Sequence, residues 1–182
     1  MGPDDIATAM TGVLSEAGPG RHEAFLPSPK VQNHAAFLAH LSDGALICAW
    51  FGGTLEGKSD ISIHASILPA GTFQWGPAQP LSGDPHRSEQ NPVIFTAPDG
   101  GLWLFHTAQP SGNQDECQIR MARLIRHPED PTLIGGDLPT VYCVHLDVQT
   151  GIVVDITGLD GTGGSSLTNE IHAVDEPLDP PS

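Results

Sequence analysis

The sequence contains very little positive charge. Its 182 residues hold seven Lys and Arg against 22 Asp and Glu, which gives a formal net charge of -15. No Lys or Arg follows Arg126, whereas residues 127–182 hold 10 acidic residues. Binding to nucleic acid needs clustered Lys and Arg against phosphate, and anionic membrane surfaces attract basic segments. The composition therefore predicts partners that are neither nucleic acids nor membranes.

Long apolar runs are also missing. No stretch approaches the roughly 20 apolar residues that span a bilayer, and the acidic start lacks the apolar core of a signal peptide. These two absences predict a cytoplasmic protein. The three cysteines, Cys48, Cys117 and Cys143, do not have the spacing of metal ligands. We expect reduced thiols that pack as small apolar groups, with no metal and no cofactor.

Glycine and proline are abundant, at 21 and 17 residues, which suits a chain of short strands and turns. A block that begins at Asn33 is echoed by a block that begins at Asn91. The Asp-Gly pairs inside the two blocks, at Asp43 and Asp99, lie 56 residues apart. Repeats of about 40 to 50 residues or slightly more, each made of several short strands, are typical of propeller blades.

Each block is predicted to form a series of strands. The Asp-Gly pairs mark hairpins between apolar runs, and the third run of each block alternates apolar and polar residues. The predicted strands are 34–41, 45–51 and 60–68 in the first block, and 92–97, 102–107 and 117–125 in the second. Phe73 and Trp75 suggest a short outer strand in the first block, but the second block shows no counterpart.

The first block carries a specific motif, Trp50-Phe51-Gly52-Gly53-Thr54-Leu55-Glu56-Gly57 followed by Asp60-Ile61. This motif resembles the opening blade of sialidase-like proteins with BNR (Asp-box) repeats. The resemblance continues through residues 87–92 and 99–106 and covers about residues 25–125. It implies an all-β fold, in which this chain forms two to three blades of a six-bladed β-propeller with a sugar site at its axis.

The resemblance and the composition together divide the chain into four predicted segments. Residues 1–24 are a poorly ordered leader, and residues 25–126 form the sialidase-like propeller blades. Residues 127–157 add a hairpin of uncertain origin, and residues 158–182 form a disordered acidic tail.

The resemblance also implies an activity, that of an exo-α-sialidase, which is a glycoside hydrolase. Such enzymes use an arginine triad, an acid/base carboxylate and a tyrosine nucleophile. The only tyrosine, Tyr142, lies outside the matching region, so the nucleophile is not placed. Six blades need far more than 182 residues, and we therefore expect a truncated domain that is inactive alone. The alternative is a non-catalytic propeller module that binds carbohydrate or protein; copies of the chain could also complete the ring in trans as a homo-oligomer.

Two acidic residues are candidates for catalysis. Glu56 and Asp60 lie four residues apart, between a Gly-Gly break and a strand, where both could reach the axial face. A carboxylate there acts as a general acid if burial raises its pKa. The alternative is that both residues hydrogen-bond backbone amides in a tight loop.

Four further residues are candidates for binding a glycan or a smaller sugar. Arg87, Glu89 and Asn91 stand at the start of the innermost strand of the second block. A guanidinium there can clamp a sugar carboxylate through two parallel hydrogen bonds, whereas a surface salt bridge is the alternative for Arg87. His34 and His106 lie at the edges of apolar strands, and packing in the structure is the alternative for both.

Overall fold

The computed structural model describes residues 8–112 and 115–135, and the backbone of three further strands at 142–146, 153–158 and 167–168. The predicted disordered tail lies almost entirely outside the described residues. No helix within the described ranges is long and apolar enough to cross a membrane. The described strands are β1 (Ser15–Gly18), β2 (Arg21–Glu23), β3 (Gln32–His40), β4 (Leu46–Gly53), β5 (Ser62–Leu68), β6 (Gln79–Pro80), β7 (Arg87–Thr96), β8 (Leu102–Pro110), β9 (Gln118–Arg126), β10 (Ile134–Gly135), β11 (Tyr142–Leu146), β12 (Val153–Gly158) and β13 (Leu167–Thr168).

The strands form three antiparallel sheets, and the chain has the all-β fold of a partial β-propeller, as the sequence predicts. β1 pairs with β2, and β3 to β6 form a four-stranded sheet in chain order. The third sheet has the order β7-β8-β9-β11-β12-β13, with β10 also paired to β9. We call the sheet of β3 to β6 blade 1, and we call β7, β8 and β9 with their outer neighbours blade 2.

The two blades have the same strand register, at a constant offset of 56 residues. Leu46 lies opposite Leu68 in blade 1, and Leu102 lies opposite Leu124 in blade 2. The apolar hairpins predicted around the Asp-Gly pairs supply the first two strands of each blade. The faint sequence repeat is therefore a repeat of backbone geometry.

Both inner strands carry a β-bulge at the same position, and this bulge corrects the alignment of the blocks. The φ angle is 48° at Ala35 in β3 and 53° at Asn91 in β7, and each bulge shifts the register of its strand. Asn91 is thus the counterpart of Ala35, whereas the counterpart of Asn33 is Glu89. The predicted match of Asn33 with Asn91 was wrong by two residues. A slip of two residues keeps every strand side chain on its own face, so the apolar pattern conceals it.

The outer strand of blade 2, which the sequence analysis does not find, is supplied from further along the chain. In blade 1 the short β6 places Pro80 opposite His64. In blade 2, β11 places Cys143 opposite Arg120, which is the counterpart of His64. The prediction that blade 2 has no fourth strand was therefore wrong, because the segment that fills this position begins only at residue 142.

The largest apolar core lies between the two blades. One face of blade 1 contributes side chains that are at most 2 % exposed, among them Ile47, Phe51, Ile63 and Ile67. They pack against the facing side of blade 2, which contributes Ile94, Leu102, Leu104 and Leu124. The opposite side of blade 2 has no such cover among the described residues, and Val93, Phe95 and Ile125 are 44–48 % exposed there.

The other face of blade 1 packs against the N-terminal segment. Leu14 and Leu26 contact the buried cluster that includes Trp50 and Trp75. The N–H of Trp75 donates to the carbonyl of Gly12 at 2.9 Å. Residues 8–24, expected to be a poorly ordered leader, thus form β1 and β2 and cover one side of blade 1. The sequence analysis did not anticipate this role because the short strands of this segment have little apolar alternation.

Candidate functional site

The loops that connect the strands gather at one end of the two blades, which we call the loop end. Here the start of β3 pairs with the end of β4, and the start of β7 pairs with the end of β8. The β4–β5 loop and the β8–β9 loop lie at the same end and are joined directly, since Gly112 N–H donates to Gly57 O at 3.0 Å. Glu89 N–H donates to Ile61 O at 3.1 Å and joins the two blades.

A cluster of ionisable side chains lies inside blade 2 near the loop end. The Arg120 guanidinium donates through Nη2 to Asp84 Oδ2 at 2.8 Å and through Nη1 to Glu89 Oε1 at 3.3 Å. The same Glu89 oxygen lies 4.0 Å from Nε2 of His106. Glu89, His106 and Arg120 are only 2 %, 3 % and 9 % exposed. The cluster thus holds one guanidinium between two carboxylates, beside a buried imidazole.

Strand alternation brings the cluster together. His106 in β8 lies opposite Arg120 in β9, and Glu89 of the adjacent β7 points to the same face of the sheet. Asp84 comes from the turn before β7, where its own N–H donates to Glu89 Oε2 at 3.0 Å. The two carboxylates are therefore fixed relative to each other by the backbone as well as by Arg120.

Burial and neighbouring groups set the protonation states. Burial lowers the pKa of His106, and Arg120 lowers it further, against the opposing effects of Glu89 and of the Thr107 carbonyl. Since the neutral ring keeps its proton on Nδ1, which contacts the Thr107 carbonyl at 3.2 Å, Nε2 is left as an acceptor. For Asp84, burial raises the pKa, but hydrogen bonds from His86 N–H and Arg120 outweigh it and lower the pKa overall.

A cavity of about 240 Å³ opens beside the cluster. We call it the Asp84 pocket; its lining consists of Leu81, Ser82, Gly83, Asp84, Glu89, His106, Arg120 and Ala122. The Nε of Arg120 is buried and has no hydrogen-bond partner among the described residues. Within the same residues, no group of three or more His, Cys, Asp or Glu side chains is placed to hold a metal ion. The pocket is therefore polar and incompletely satisfied.

Blade 1 has a counterpart of this site with uncharged side chains. The residues 56 positions before Asp84, Glu89 and His106 are Ser28, Asn33 and Trp50. Here Asn33 Oδ1 accepts from Trp50 Nε1 at 3.0 Å and from the Ser28 hydroxyl. The adjoining cavity of about 370 Å³ has a mainly apolar lining that includes Met10, Leu26, Ala35 and Ala36. The same backbone therefore carries a charged site in blade 2 and a neutral one in blade 1.

The two residues predicted for catalysis lie exposed in the β4–β5 loop. Asp60 Oδ2 accepts from Thr54 N–H at 2.9 Å, and Glu56 N–H donates to Gln32 Oε1 at 3.2 Å. Hydrogen bonds from Thr54 lower the pKa of Asp60. Asp60 therefore closes the loop as a carboxylate, which is the backbone-amide arrangement considered as the alternative. A catalytic role for either residue stays a prediction.

Arg87 is half-buried at the loop end. Its Nη1 donates to the carbonyl of Ala108 at 3.3 Å. The ion pairs of the described residues involve Arg21, Arg120 and Arg126 as the arginine partners, so Arg87 has no carboxylate within 4.0 Å there. The surface salt bridge considered as the alternative is not present among the described residues.

The other predicted binding residues lie apart from the buried cluster, except for Glu89. Asn91 is exposed at the bulge of β7, and its Nδ2 donates to Thr107 Oγ1 at 3.3 Å. His34 is exposed and stacks on Phe51 with ring centroids 5.4 Å apart. These contacts explain how both side chains are held, and their proposed binding to a sugar stays a prediction.

Asp84 and Arg120 are cluster members that the sequence analysis does not single out, and His106 is one for which it leaves a packing role open. One signal for Arg120 is present in the sequence. Alternation in β9 places Arg120 on the same face as Ala122 and Leu124, both of which are buried. An arginine on an apolar face needs a buried carboxylate partner. Asp84 has no comparable signal, because it lies in a turn.

Two buried histidines make the stability of the fold sensitive to acid. His64 is 3 % exposed, and burial lowers its pKa to about 4; burial also lowers the pKa of His106. The unfolded chain binds these protons more readily than the folded chain. The stabilisation is therefore complete above the unfolded pKa, near 6.5, and is lost as the pH falls toward 4.

We expect the free energy of unfolding to decrease by on the order of 3 kcal/mol for His64 between pH 7 and pH 4. Urea denaturation at pH 7, 6, 5 and 4 measures this loss. The variant His64→Gln serves as the control, since it should flatten the curve in this range. An equal slope in the two proteins would show that His64 does not cause the acid sensitivity.

The antiparallel blades with a shared register place the described fold in the β-propeller class. Residues 44–130 match the family model of a BNR repeat-like domain. The matched region extends over β4 to β9 and includes all four residues of the buried cluster. No curated protein matches the chain.

Proposed function

We propose that the chain is a glycan-directed, sialidase-like propeller domain of the glycoside hydrolase type, which meets its sugar at the loop end. The BNR repeat-like match of residues 44–130 supports the class. The observation that carries the proposal is Arg87, whose half-buried guanidinium donates to one backbone carbonyl and meets no carboxylate among the described residues. Guanidinium groups in such positions bind carboxylates through paired, charge-assisted hydrogen bonds. The ligand is therefore a sugar that bears a carboxylate.

Binding and hydrolysis make different demands on the site. A general acid needs a carboxyl group that keeps its proton near neutral pH, whereas the pKa of Asp60 is lowered. The side chain of Tyr142 lies outside the described residues. We therefore propose that the two described blades bind the glycan and that hydrolysis needs groups from the rest of the ring, which further copies of the chain could supply. A non-catalytic binding module is the second candidate, and the loop-closing role of Asp60 favours it.

Replacing Arg87 with Gln tests the proposed carboxylate clamp. We expect the dissociation constant for sialic acid to rise about 10-fold to 100-fold, because a charge-assisted hydrogen bond contributes about 1.5–3 kcal/mol. Ligand-observed NMR titration measures this constant. The matched control is Arg123→Gln, since Arg123 lies over Trp103 at 6.0 Å on the open face of blade 2.

Two outcomes would contradict the clamp: equal binding by wild type and the Arg87→Gln variant, or an equal loss in the Arg123→Gln variant. Turnover of a fluorogenic sialoside, measured on the same preparations, separates the two candidate functions. Robust hydrolysis by the monomer would show that the described blades suffice for catalysis. Binding without hydrolysis would favour the binding module or the completed ring.

A further inference from the structure

The Asp84 pocket offers more hydrogen-bond acceptors than donors. Asp84 and Glu89 present carboxylate oxygens, and His106 presents Nε2 as an acceptor. Nε2 of His106 and Oε1 of Glu89 lie 4.0 Å apart and cannot bond to each other, since neither carries a proton. The one unpaired donor is the buried Nε–H of Arg120. A ligand must therefore donate several hydrogen bonds and accept at least one.

Charge narrows the class of ligand further. The two carboxylates and one guanidinium leave an excess of negative charge, so an anionic group placed in the pocket is repelled. An ammonium group carries three donors and no acceptor, and it would leave the Arg120 Nε–H without a partner in a buried position. A hydroxyl group both donates and accepts. Several hydroxyl groups on one uncharged ligand fit this arrangement.

Size and shape point to a single sugar ring. The pocket, at about 240 Å³, is smaller than the roughly 300–1,000 Å³ of pockets that hold drug-sized ligands. Leu81 and Ala122 are both 3 % exposed and give the pocket an apolar side. A pyranose has an apolar face of C–H groups and a rim of hydroxyls, so it matches both sides of the pocket.

We propose that the Asp84 pocket binds one uncharged monosaccharide ring, through hydrogen bonds from its hydroxyls to Asp84, Glu89 and His106. This inference rests on the proposed glycan-directed function and adds the sugar class of a second position. Arg87 lies two residues before Glu89 in β7, which is about 7 Å along a strand. The uncharged ring in the pocket and the carboxylate at Arg87 therefore occupy neighbouring positions.

The test compares methyl glucoside with methyl glucuronide, which differ by one carboxylate, against wild type and two variants. In Asp84→Asn we expect the dissociation constant for methyl glucoside to rise at least 10-fold, with the constant for methyl glucuronide unchanged or lower. In Arg87→Gln we expect the reverse pattern. Asp43→Asn removes a carboxylate at the opposite end of the blades and should change neither constant. The thermal midpoint of each variant shows whether it folds.

A second variant keeps the test valid if Asp84→Asn does not fold. A Cβ added at Gly83 meets no atom within 4 Å, so Gly83→Gln is tolerated and narrows the pocket; it should weaken methyl glucoside binding alone. Glucoside binding that is unaffected by Asp84→Asn and by Gly83→Gln overturns the inference. Glucoside binding that depends on Asp84, together with no glucuronide binding, supports the pocket and contradicts the Arg87 clamp. No binding of either sugar overturns the proposed function itself.

Discussion

The Arg120→Met variant is expected to lose about 3–5 kcal/mol of its free energy of unfolding, because it leaves two carboxylates buried without their cation. Asp84 Oδ2 and Glu89 Oε1 lie 2.8 and 3.3 Å from the guanidinium, and the side chain of Glu89 is only 3 % exposed. Glu89 cannot turn outward to water without breaking β7. Urea denaturation followed by tryptophan fluorescence measures the loss.

The matched control is Arg123→Met, three residues away on the opposite face of β9. Arg123 is exposed and lies over Trp103, so its replacement should cost no more than about 1 kcal/mol. Adding Glu89→Gln to Arg120→Met should restore part of the stability, since it removes one of the two uncompensated charges. Equal losses in the two arginine variants, or a further loss on adding Glu89→Gln, would contradict the role assigned to the ion pairs.

Truncation of Ile63 to Ala should destabilise the protein by about 2–5 kcal/mol, because it opens a cavity in the core between the blades. Ile63 is 0 % exposed and belongs to the face of blade 1 that packs on blade 2. Its counterpart 56 residues later, Ile119, is only partly buried on the open face of blade 2. Ile119→Ala makes the same chemical change in the same register and should cost less than about 1 kcal/mol.

Chemical denaturation of these two isoleucine variants under one set of conditions measures the difference directly. A large loss in Ile63→Ala alone means that the core depends on contact between the blades. Similar losses in both variants would mean that Ile119 is also covered in solution, and that the open face of blade 2 has a partner.

Local sequence patterns predict the strands well. Alternation over residues 60–68 and the Asp-Gly pair at Asp43 correspond to β5 and to the β3–β4 hairpin, because both signals act between residues close in the chain. The outer strand of blade 2 could not be predicted in this way. β11 begins at residue 142, far beyond β9, and its position depends on pairing with β9 rather than on its own sequence.

The candidate site was only partly predictable for the same physical reason. Glu89 stands next to Arg87 in a motif, so a local pattern finds it. Arg120 and Asp84 meet across 36 positions of sequence, and only the sheet brings them together. The stretch around Asn91 illustrates a different limit, because a bulge displaces the repeat by two residues without disturbing its apolar pattern.

The shared bulge at Ala35 and Asn91 also bears on the history of the protein. Two backbones that deviate from regular strand geometry at the same position, while their side chains differ, match what duplication of an ancestral blade leaves behind. After such a duplication, one copy kept or acquired Trp50 and Asn33, and the other kept or acquired His106 and Glu89. The chain can then be regarded as one scaffold used twice, with its chemistry changed in one copy at no cost to the shape of the other.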